Sequence, residues 1–374
     1  MDPRRKVIIL YASAGHGHEK AAKAILEAYH LYQKEADAEA FDILSFTWPF
    51  FGKSYGKFYL FLIRRLPWLW GCLYYGSDIH AVYVFLKPIR RFMNGLLLKR
   101  FERWLVAQNP SVIVSTHFMP TEVASHLKGN AEIRARLITV VTDYLPHYIW
   151  TAKNVDRYVV AIDETKEALM KRGVSEGKVS VLGIPIENKF LKKHSKEELV
   201  SKLNIDGQLF TVLLTSGGAG VGDAEKIIKG LLALKQRLQI LVVCGTNKSL
   251  EENLKNISKN QPLLKPFGFV NTMDELMEVA DIVVGKGGGL TITEAFAKEK
   301  PVILFQSVPG QEARNAFCVK RYGAGVEANS AEEVVRKVEA FVNEPAVLEG
   351  LKKAVGRIAK PRAAEAIMRL AEHG

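Results

Sequence analysis

Two stretches decide the fold: KVIILYASAGHGHEKAAKAILEAYH at residues 6–30 and TVLLTSGGAGVGDAEKIIKGLLAL at residues 211–234. Each begins with an apolar run typical of a buried parallel strand, passes through a glycine-bearing turn and ends with apolar positions at helical spacing. Strand, glycine turn and helix open a βαβ unit. Because the pattern occurs in both halves of the chain, it predicts an α/β protein with two Rossmann-like domains facing each other across a cleft.

Further apolar runs predict the remaining strands and helices of both halves. The predicted strands of the first half span 7–11, 112–116, 137–142, 158–161 and 179–182. Those of the second half span 211–215, 239–244, 282–284 and 301–305. The predicted helices span 19–35, 164–172, 224–234, 291–297, 331–341 and 362–372. Residues 187–202 are polar and lysine-rich, which predicts a linker with a surface helix. The expected domains are therefore 1–186 and 187–360, with a C-terminal helix at 361–374 that packs back on the first domain.

The amino-acid composition excludes several classes of protein. The 374 residues are 48% hydrophobic and 25% charged, which excludes a disordered, collagen-like or coiled-coil chain. A net charge of +12 indicates an anionic partner, namely nucleic acid, a phosphorylated ligand or an acidic membrane surface. The three cysteines lie far apart, which favours a reducing compartment. The apolar run Val7–Leu10 is too short for a signal peptide, and no run is long enough to predict a membrane-spanning helix.

The charge and the aromatic residues are concentrated between Trp48 and Trp104. This segment holds ten basic and two acidic residues, and sixteen of the 35 aromatic residues. Basic side chains mixed with aromatic rings are typical of a surface that docks on an anionic membrane. A hydrophobic core or a surface that binds single-stranded nucleic acid would have a similar composition. The residues predicted to dock are Arg64, Arg65, Trp68, Trp70, Arg90 and Arg91.

Three motifs of the second half predict a ligand site. The first is a turn that can hold a phosphate with backbone N–H groups, formed by Ser216, Gly217, Gly218, Ala219 and Gly220. The second opens a helix with Gly287, Gly288, Gly289, Leu290 and Thr291. Glu294 follows and can accept hydrogen bonds from vicinal hydroxyls such as those of a ribose, or it is an acid favoured near a helix start. The third offers polar groups for sugar hydroxyls, or a helix cap, at Gln311, Glu312 and Asn315.

Polar residues of the first half, His18, His117 and Asp143, follow predicted strands, where open α/β sheets bind ligands. The chain has no DxD motif and no cluster with metal-ligand spacing, so we expect no cofactor and no catalytic metal. Helix N-termini and loop amides then have to stabilise the charge of a leaving group.

These motifs, in this order, resemble the UDP-sugar site of GT-B glycosyltransferases. The first half narrows the resemblance to the diacylglycerol glycosyltransferases, a group that includes monogalactosyldiacylglycerol synthases and bacterial processive diacylglycerol glucosyltransferases. The segments that carry it are Ser13–His18 with Ala21 and Ala22, Val141–Tyr144 with His147 and Trp150, Asn154–Tyr158, and Gly183–Ile186. It covers nearly the whole chain.

The resemblance implies an inverting, metal-independent enzyme that transfers a hexose from a UDP-sugar to diacylglycerol. Domain 1–186 would take the lipid at the cytoplasmic face of the cell membrane, as a peripheral protein, and domain 187–360 would bind the UDP-sugar. His18 matches the acceptor-side base at the end of a loop with Gly15, His16 and Gly17. Asp143 matches the acid after the third strand, where it could orient His18 or serve as the base itself. His16 departs from the pattern of related sequences, which leaves open which histidine faces the acceptor.

On the donor side, the resemblance assigns the remaining motifs. Residues 216–220 match the diphosphate loop, Glu294 the ribose carboxylate, Gln311 and Glu312 the sugar contacts, and Phe269 the segment that meets uracil. The motifs are most similar to those of the bacterial members of the group, which favours glucose as the sugar. Alternatives are a UDP-galactose-using synthase of monogalactosyldiacylglycerol, a transferase of GlcNAc to a polyprenyl lipid, or a regulator that senses a sugar nucleotide. We expect no nucleic-acid partner because no nucleic-acid motif is present; the sequence does not determine the oligomeric state.

Overall fold

The computed structural model describes residues 5–13, 15–33, 35–48, 56, 58, 61–63, 65–215 and 223–373. They form two compact units. The first extends to Asn188 and also contains Pro309–Gln311 and the C-terminal stretch from Lys360; the second comprises Lys189–Val308 and Glu312–Ala359.

A parallel six-stranded sheet forms the centre of the first unit. Its strands are β1 (Lys6–Tyr11), β2 (Asp37–Asp42), β3 (Val112–Ser115), β4 (Arg136–Val140), β5 (Arg157–Val160) and β6 (Val179–Val181), in the order β2-β1-β3-β4-β5-β6. Ile8 pairs with Ile113, which pairs with Leu137 on the other side. All three side chains are buried, as expected for a parallel sheet that is covered on both faces.

Helices pack on both faces of this sheet. They are α1 (His16–Tyr32), α2 (Pro67–Ser77), α3 (His80–Leu97), α4 (Lys99–Gln108), α5 (Phe118–Gly129) and α6 (Asp163–Lys171). Among the described residues, 3₁₀ turns occupy Ile43–Phe46, Tyr148–Trp150 and Glu176–Lys178 in this unit, and another, Asn188–Leu191, begins at its last residue before the second unit. The segment rich in basic and aromatic residues thus contributes α2, α3 and α4.

The second unit is built around another parallel six-stranded sheet. Its strands are β7 (Phe210–Thr215), β8 (Leu238–Val243), β9 (Leu264–Phe267), β10 (Ile282–Gly285), β11 (Val302–Phe305) and β12 (Gly325–Ala328), in the order β12-β11-β10-β7-β8-β9. Its helices are α7 (Lys196–Leu203), α8 (Ala224–Leu232), α9 (Lys248–Ser258), α10 (Met273–Val279), α11 (Gly289–Ala297), α12 (Gln311–Arg321), α13 (Ala331–Asn343) and α14 (Pro345–Ile358).

The C-terminal helix α15 (Ala363–His373) belongs to the first unit. It packs against α1, where Ile367 and Met368 join the core that contains Ile25. Gly183 has a positive φ of 99°, and a Cβ at this position would approach Lys360 and Ala363 within about 3 Å. Only glycine therefore allows the chain after β6 to lie this close to the start of α15.

Two expectations are corrected at the start of the first unit. The turn predicted at 13–18 is shorter, because α1 begins at His16 rather than at residue 19, with Gly15 as its N-cap. This places His16, Gly17 and His18 in the first turn of the helix. No strand was predicted at residues 37–42, where the structure has β2 at the edge of the sheet.

No helix within the described part of the chain is both long and apolar enough to cross a bilayer. The three cysteines are free thiols: Cys72 is exposed, and Cys244 and Cys318 are buried.

Candidate active site

Polar residues gather in the first unit beyond the carboxyl ends of β3 and β4. Thr116 and His117 follow β3, and Thr142 and Asp143 follow β4. His18, in the first turn of α1, lies beside both segments. The structure thus brings together the three residues whose positions after strands suggested a site.

Two hydrogen bonds hold the imidazole of His18. Its Nδ1 lies 2.8 Å from the backbone oxygen of Thr116 and 3.0 Å from Oγ1 of Thr142. A carbonyl oxygen can only accept, so Nδ1 carries the proton and Nε2 keeps its lone pair. Burial lowers the pKa of His18 to about 4, against the effect of the Thr116 carbonyl, which raises it. The positive end of α1 also disfavours an imidazolium in the first turn. His18 is therefore neutral at pH 7, with Nε2 able to take a proton.

His117 packs edge-on against His18, with 4.6 Å between the ring centroids. Its Nδ1 accepts a hydrogen bond from the backbone N–H of Met119 at 3.1 Å, which caps α5. The ring proton of His117 is therefore on Nε2. Burial and the neighbouring His18 lower the pKa of His117, so it is also neutral. Its position after β3 marked it in the sequence, but no role was predicted for it.

Asp143 is buried, with 8% of its surface exposed. Its Oδ2 accepts a hydrogen bond from Nε1 of Trp150 at 3.1 Å, and the Trp150 ring lies 6.2 Å from the ring of His18. Among the described residues, the hydrogen-bond partners of the His18 ring are Thr116 and Thr142. These two residues, rather than Asp143, orient the histidine.

In the second unit, the glycine turn after β10 packs directly on the first turn of α12. A Cβ on Gly287 would lie 2.4 Å from the backbone oxygen of Glu312, so any larger residue would force the two segments apart. Asn315, which is 1% exposed, donates from Nδ2 to the backbone oxygen of Gly287 at 2.9 Å. Asn315 therefore holds the glycine turn in place, a function that the sequence did not suggest.

The glycine turn leads into α11. Gly288 is the N-cap, and Gly289, Leu290 and Thr291 form the first turn. Glu294 lies in the next turn and is buried, at 4% exposure. Because the first N–H groups of a helix and its dipole favour anions, this end of α11 suits a negatively charged ligand.

The remaining residues predicted to bind the donor lie on two further elements. Gln311 opens α12, and Oε2 of Glu312 accepts a hydrogen bond from the backbone N–H of Val308 at 2.9 Å. Burial raises the pKa of Glu312, although the hydrogen bond from Val308 and the charge of Lys286 oppose this. Phe269, after β9, is 74% exposed. The predicted diphosphate loop, residues 216–220, lies outside the described residues.

The predicted docking residues differ in their surroundings. Arg65 and Trp68 are exposed and Trp70 is half-buried. Arg90 forms an ion pair with Glu122 at 2.8 Å, and Arg91 lies 2.9 Å from Nδ1 of His126. Arg64 lies outside the described residues. Arg90 thus anchors α3 to α5.

Helix α3 also carries an exposed apolar surface. The apolar stripe consists of five exposed residues: Val82, Phe85, Ile89, Phe92 and Leu96. Successive members are three or four positions apart, so they share one face of the helix. The same spacing is visible in the sequence and could have revealed the stripe. Tyr83 and Arg90 attach other faces of α3 to the unit, through Thr151 and Glu122.

Comparisons with known proteins now identify the family. Residues 18–186 match the monogalactosyldiacylglycerol (MGDG) synthase family, and residues 211–372 match the glycosyltransferase family 28 C-terminal domain. The chain is 32% identical over 361 residues to the processive diacylglycerol beta-glucosyltransferase of Bacillus cereus strain B4264, covering 96% of this chain and 91% of that protein. The chain belongs to the diacylglycerol glycosyltransferase family. It is therefore a glycosyltransferase, and the resemblance inferred from the motifs is confirmed.

Solved structures confirm the fold. The chain superposes on MurG of Acinetobacter baumannii with a TM-score of 0.65 at 12% identity, covering 99% of this chain and 100% of that one. A complex of HepE from Anabaena with UDP gives a TM-score of 0.59 at 14% identity, covering 98% and 99%. The fold is GT-B. His18 and Asp143 lie in the part that matches the MGDG synthase family, and Glu294, Gln311 and Glu312 lie in the part that matches the family 28 domain.

Within the described residues, no group of three or more His, Cys, Asp and Glu side chains is arranged to hold a metal ion.

Proposed function

We propose that this member of the family transfers glucose from UDP-glucose to the free hydroxyl of diacylglycerol, inverts the anomeric carbon and uses no catalytic metal. The observation that carries this proposal is the geometry of His18, a partly buried, neutral imidazole with a free Nε2 at the carboxyl edge of the first sheet. The sugar is suggested by the Bacillus relatives, which are named processive diacylglycerol beta-glucosyltransferases. One solved complex of HepE contains UDP-glucose.

In the proposed reaction, the hydroxyl oxygen of diacylglycerol attacks C1 of the glucose. The bond between C1 and the β-phosphate oxygen breaks, UDP leaves, and the hydroxyl proton passes to Nε2 of His18. The resulting imidazolium keeps its Nδ1–H bond to Thr116, which becomes a charge-assisted hydrogen bond. Positioned general bases of this kind contribute roughly 10²- to 10⁴-fold to a rate.

The donor is proposed to bind the second unit. The N-terminus of α11 and residues 216–220 would stabilise the charge that develops on the departing diphosphate. Glu294 would accept hydrogen bonds from the ribose hydroxyls, and Gln311 and Glu312 would contact the sugar. Asn315, which the sequence also assigned to the sugar, would in addition hold the glycine turn through the backbone oxygen of Gly287.

The acceptor is a membrane lipid, so the enzyme has to reach a bilayer surface. The apolar stripe on α3 supports the proposal that the first unit docks there as a peripheral protein, since a helix with one exposed apolar face lies in the interface plane. Lys99, Arg100 and Arg103 on the following helix are exposed and would favour an anionic leaflet, which in a bacterium is the cytoplasmic face of the cell membrane.

Two other sugar donors have to be distinguished from UDP-glucose. The name of the family that matches residues 18–186 points to UDP-galactose, and the fold is shared with MurG, which motivates a test of UDP-GlcNAc with a polyprenyl lipid.

The test is a transfer assay on anionic vesicles that contain diacylglycerol, with one UDP-sugar in each reaction and mass analysis of the extracted lipids. We expect hexosyl-diacylglycerol from UDP-glucose, at the same rate with and without EDTA, and an anomeric proton coupling that indicates a β-linkage. Polyprenyl phosphate vesicles serve as the acceptor control. A product only from UDP-galactose would overturn the choice of sugar, and a rate abolished by EDTA would overturn the metal-free mechanism.

A further inference from the structure

A second concave surface lies at the opposite edge of the first sheet. Ser111 precedes β3, Arg136 begins β4 and Arg157 begins β5, whereas His117 and Asp143 follow the other ends of β3 and β4. The basin is a wide, open depression with a volume of about 500 Å³. It is thus separated from the candidate active site by the length of the strands.

The lining of this basin is strongly basic. It contains five cationic side chains and one carboxylate: Lys128, Arg134, Arg136, Arg157, Lys178 and Asp156. Asp156 is already engaged by Lys128 and by the backbone N–H of Leu137 at 2.7 Å. Most of the positive charge is therefore left without a carboxylate inside the basin.

Three of the five cations are held in place by neutral groups. Arg136 donates to the backbone oxygen of Leu370 at 2.8 Å, Arg157 to that of Gly177 at 3.0 Å, and Lys178 to that of Val155 at 2.9 Å. A carbonyl oxygen orients a guanidinium without neutralising it, and each guanidinium has further N–H groups to donate. The side chains are therefore preorganised for another acceptor.

The electrostatics of Arg136 agree with this arrangement. Burial and the positive charge of Arg157 lower its pKa, and Arg5 lowers it further, although the carboxylate of Asp156 partly opposes this. An anion in the basin would relieve this repulsion.

We propose that this basic basin binds a phosphate-bearing anion of at least two negative charges. Three guanidinium groups favour phosphate, because their planar fork matches two phosphate oxygens at once. The phosphate could belong to a free ion or to the headgroup of a lipid. The proposal is independent of the donor and acceptor chemistry described above.

The first test is isothermal titration of the full chain with inorganic pyrophosphate, in the presence of saturating UDP so that the donor site is occupied. We expect one further site whose affinity decreases as salt is added. The double variant Arg134→Gln with Arg157→Gln should weaken this binding by about tenfold or more, since hydrogen bonds to charged groups are lost. Arg134→Gln alone removes an exposed side chain and should weaken it severalfold without affecting the fold.

The matched control is Lys23→Gln with Lys171→Gln, which removes the same charge from exposed positions on α1 and α6 of this unit. It should bind pyrophosphate as the wild type does.

A second arm separates the two sources of phosphate. Flotation with phosphatidic acid vesicles, compared with phosphatidylcholine vesicles, is measured for the same variants. Loss of flotation in the Arg134 and Arg157 variant, without pyrophosphate binding by the wild type, would assign the basin to a lipid headgroup. If this variant matches its control in both assays, the basin is not a phosphate site and the proposal is overturned.

Discussion

The apolar stripe on α3 allows a quantitative test of membrane docking. Phe85 and Phe92 lie seven residues apart on the same face of α3 and are 71% and 72% exposed. We consider the double substitution Phe85→Gln and Phe92→Gln. Because both rings are largely in water already, their replacement should leave the fold unchanged, and the midpoint of thermal unfolding should shift by less than about 2 °C.

The expected loss of membrane affinity follows from the exposed area. A phenylalanine side chain offers about 200 Å², so each ring has roughly 140 Å² to bury, worth about 3.5 kcal/mol at 25 cal/mol per Å². A ring at the headgroup boundary buries about half of this area, which gives roughly 3–4 kcal/mol for the pair. The double variant should therefore bind vesicles more weakly by about 150- to 1,000-fold.

The assay is co-sedimentation with vesicles of phosphatidylglycerol and phosphatidylcholine over a range of lipid concentrations. The matched control is Phe317→Gln with Val347→Gln, which changes two exposed apolar residues on α12 and α14 and should not alter binding. If the α3 variant sediments as the wild type does, the stripe does not dock and the reasoning from exposed area fails.

Three further outcomes are expected. Gly287→Ala should reduce UDP affinity at least about tenfold, because the new Cβ would clash with the backbone oxygen of Glu312; unchanged UDP titration would contradict the packing. Glu294→Gln should raise the Kd for UDP severalfold while the Kd for free hexose stays the same, and an unaltered UDP isotherm would remove Glu294 from the ribose site. Arg172→Ala removes the ion pair to the buried carboxylate of Asp78, at 2.9 Å, and should lower the free energy of unfolding by about 3 kcal/mol or more, as urea denaturation can measure.

The central strands of both sheets could be predicted because they are continuous apolar runs. The strands for which no prediction was made, β2, β9 and β12, all lie at sheet edges. Edge strands are partly exposed, and their sequences are correspondingly mixed: β2 reads DAEAFD, and β9 contains Pro266. Local sequence therefore gives a weaker signal for them than for the strands that tertiary packing buries on both faces.

The candidate site was predictable in part for a similar reason. Positions after strand ends indicate that His18, His117 and Asp143 share a neighbourhood, since parallel strands end at one edge. The contact between His18 and Thr142 joins residues 124 positions apart, and the hydrogen bond between Asp143 and Trp150 depends on how the intervening turn folds. No local pattern encodes such contacts, so the orientation of the imidazole emerges only from the structure.

Kinetics of a His18→Ala variant on diacylglycerol vesicles, together with its affinity for UDP, test the proposed chemistry most directly. Wild-type kcat/KM should stay level as the pH falls below 6.5 and decline only near the pKa of about 4, because protonation then blocks Nε2. The variant should lose about 100-fold or more in kcat/KM and keep its Kd for UDP within about twofold. Unchanged turnover, or an equal loss of UDP affinity, would contradict the assignment of His18 as the base.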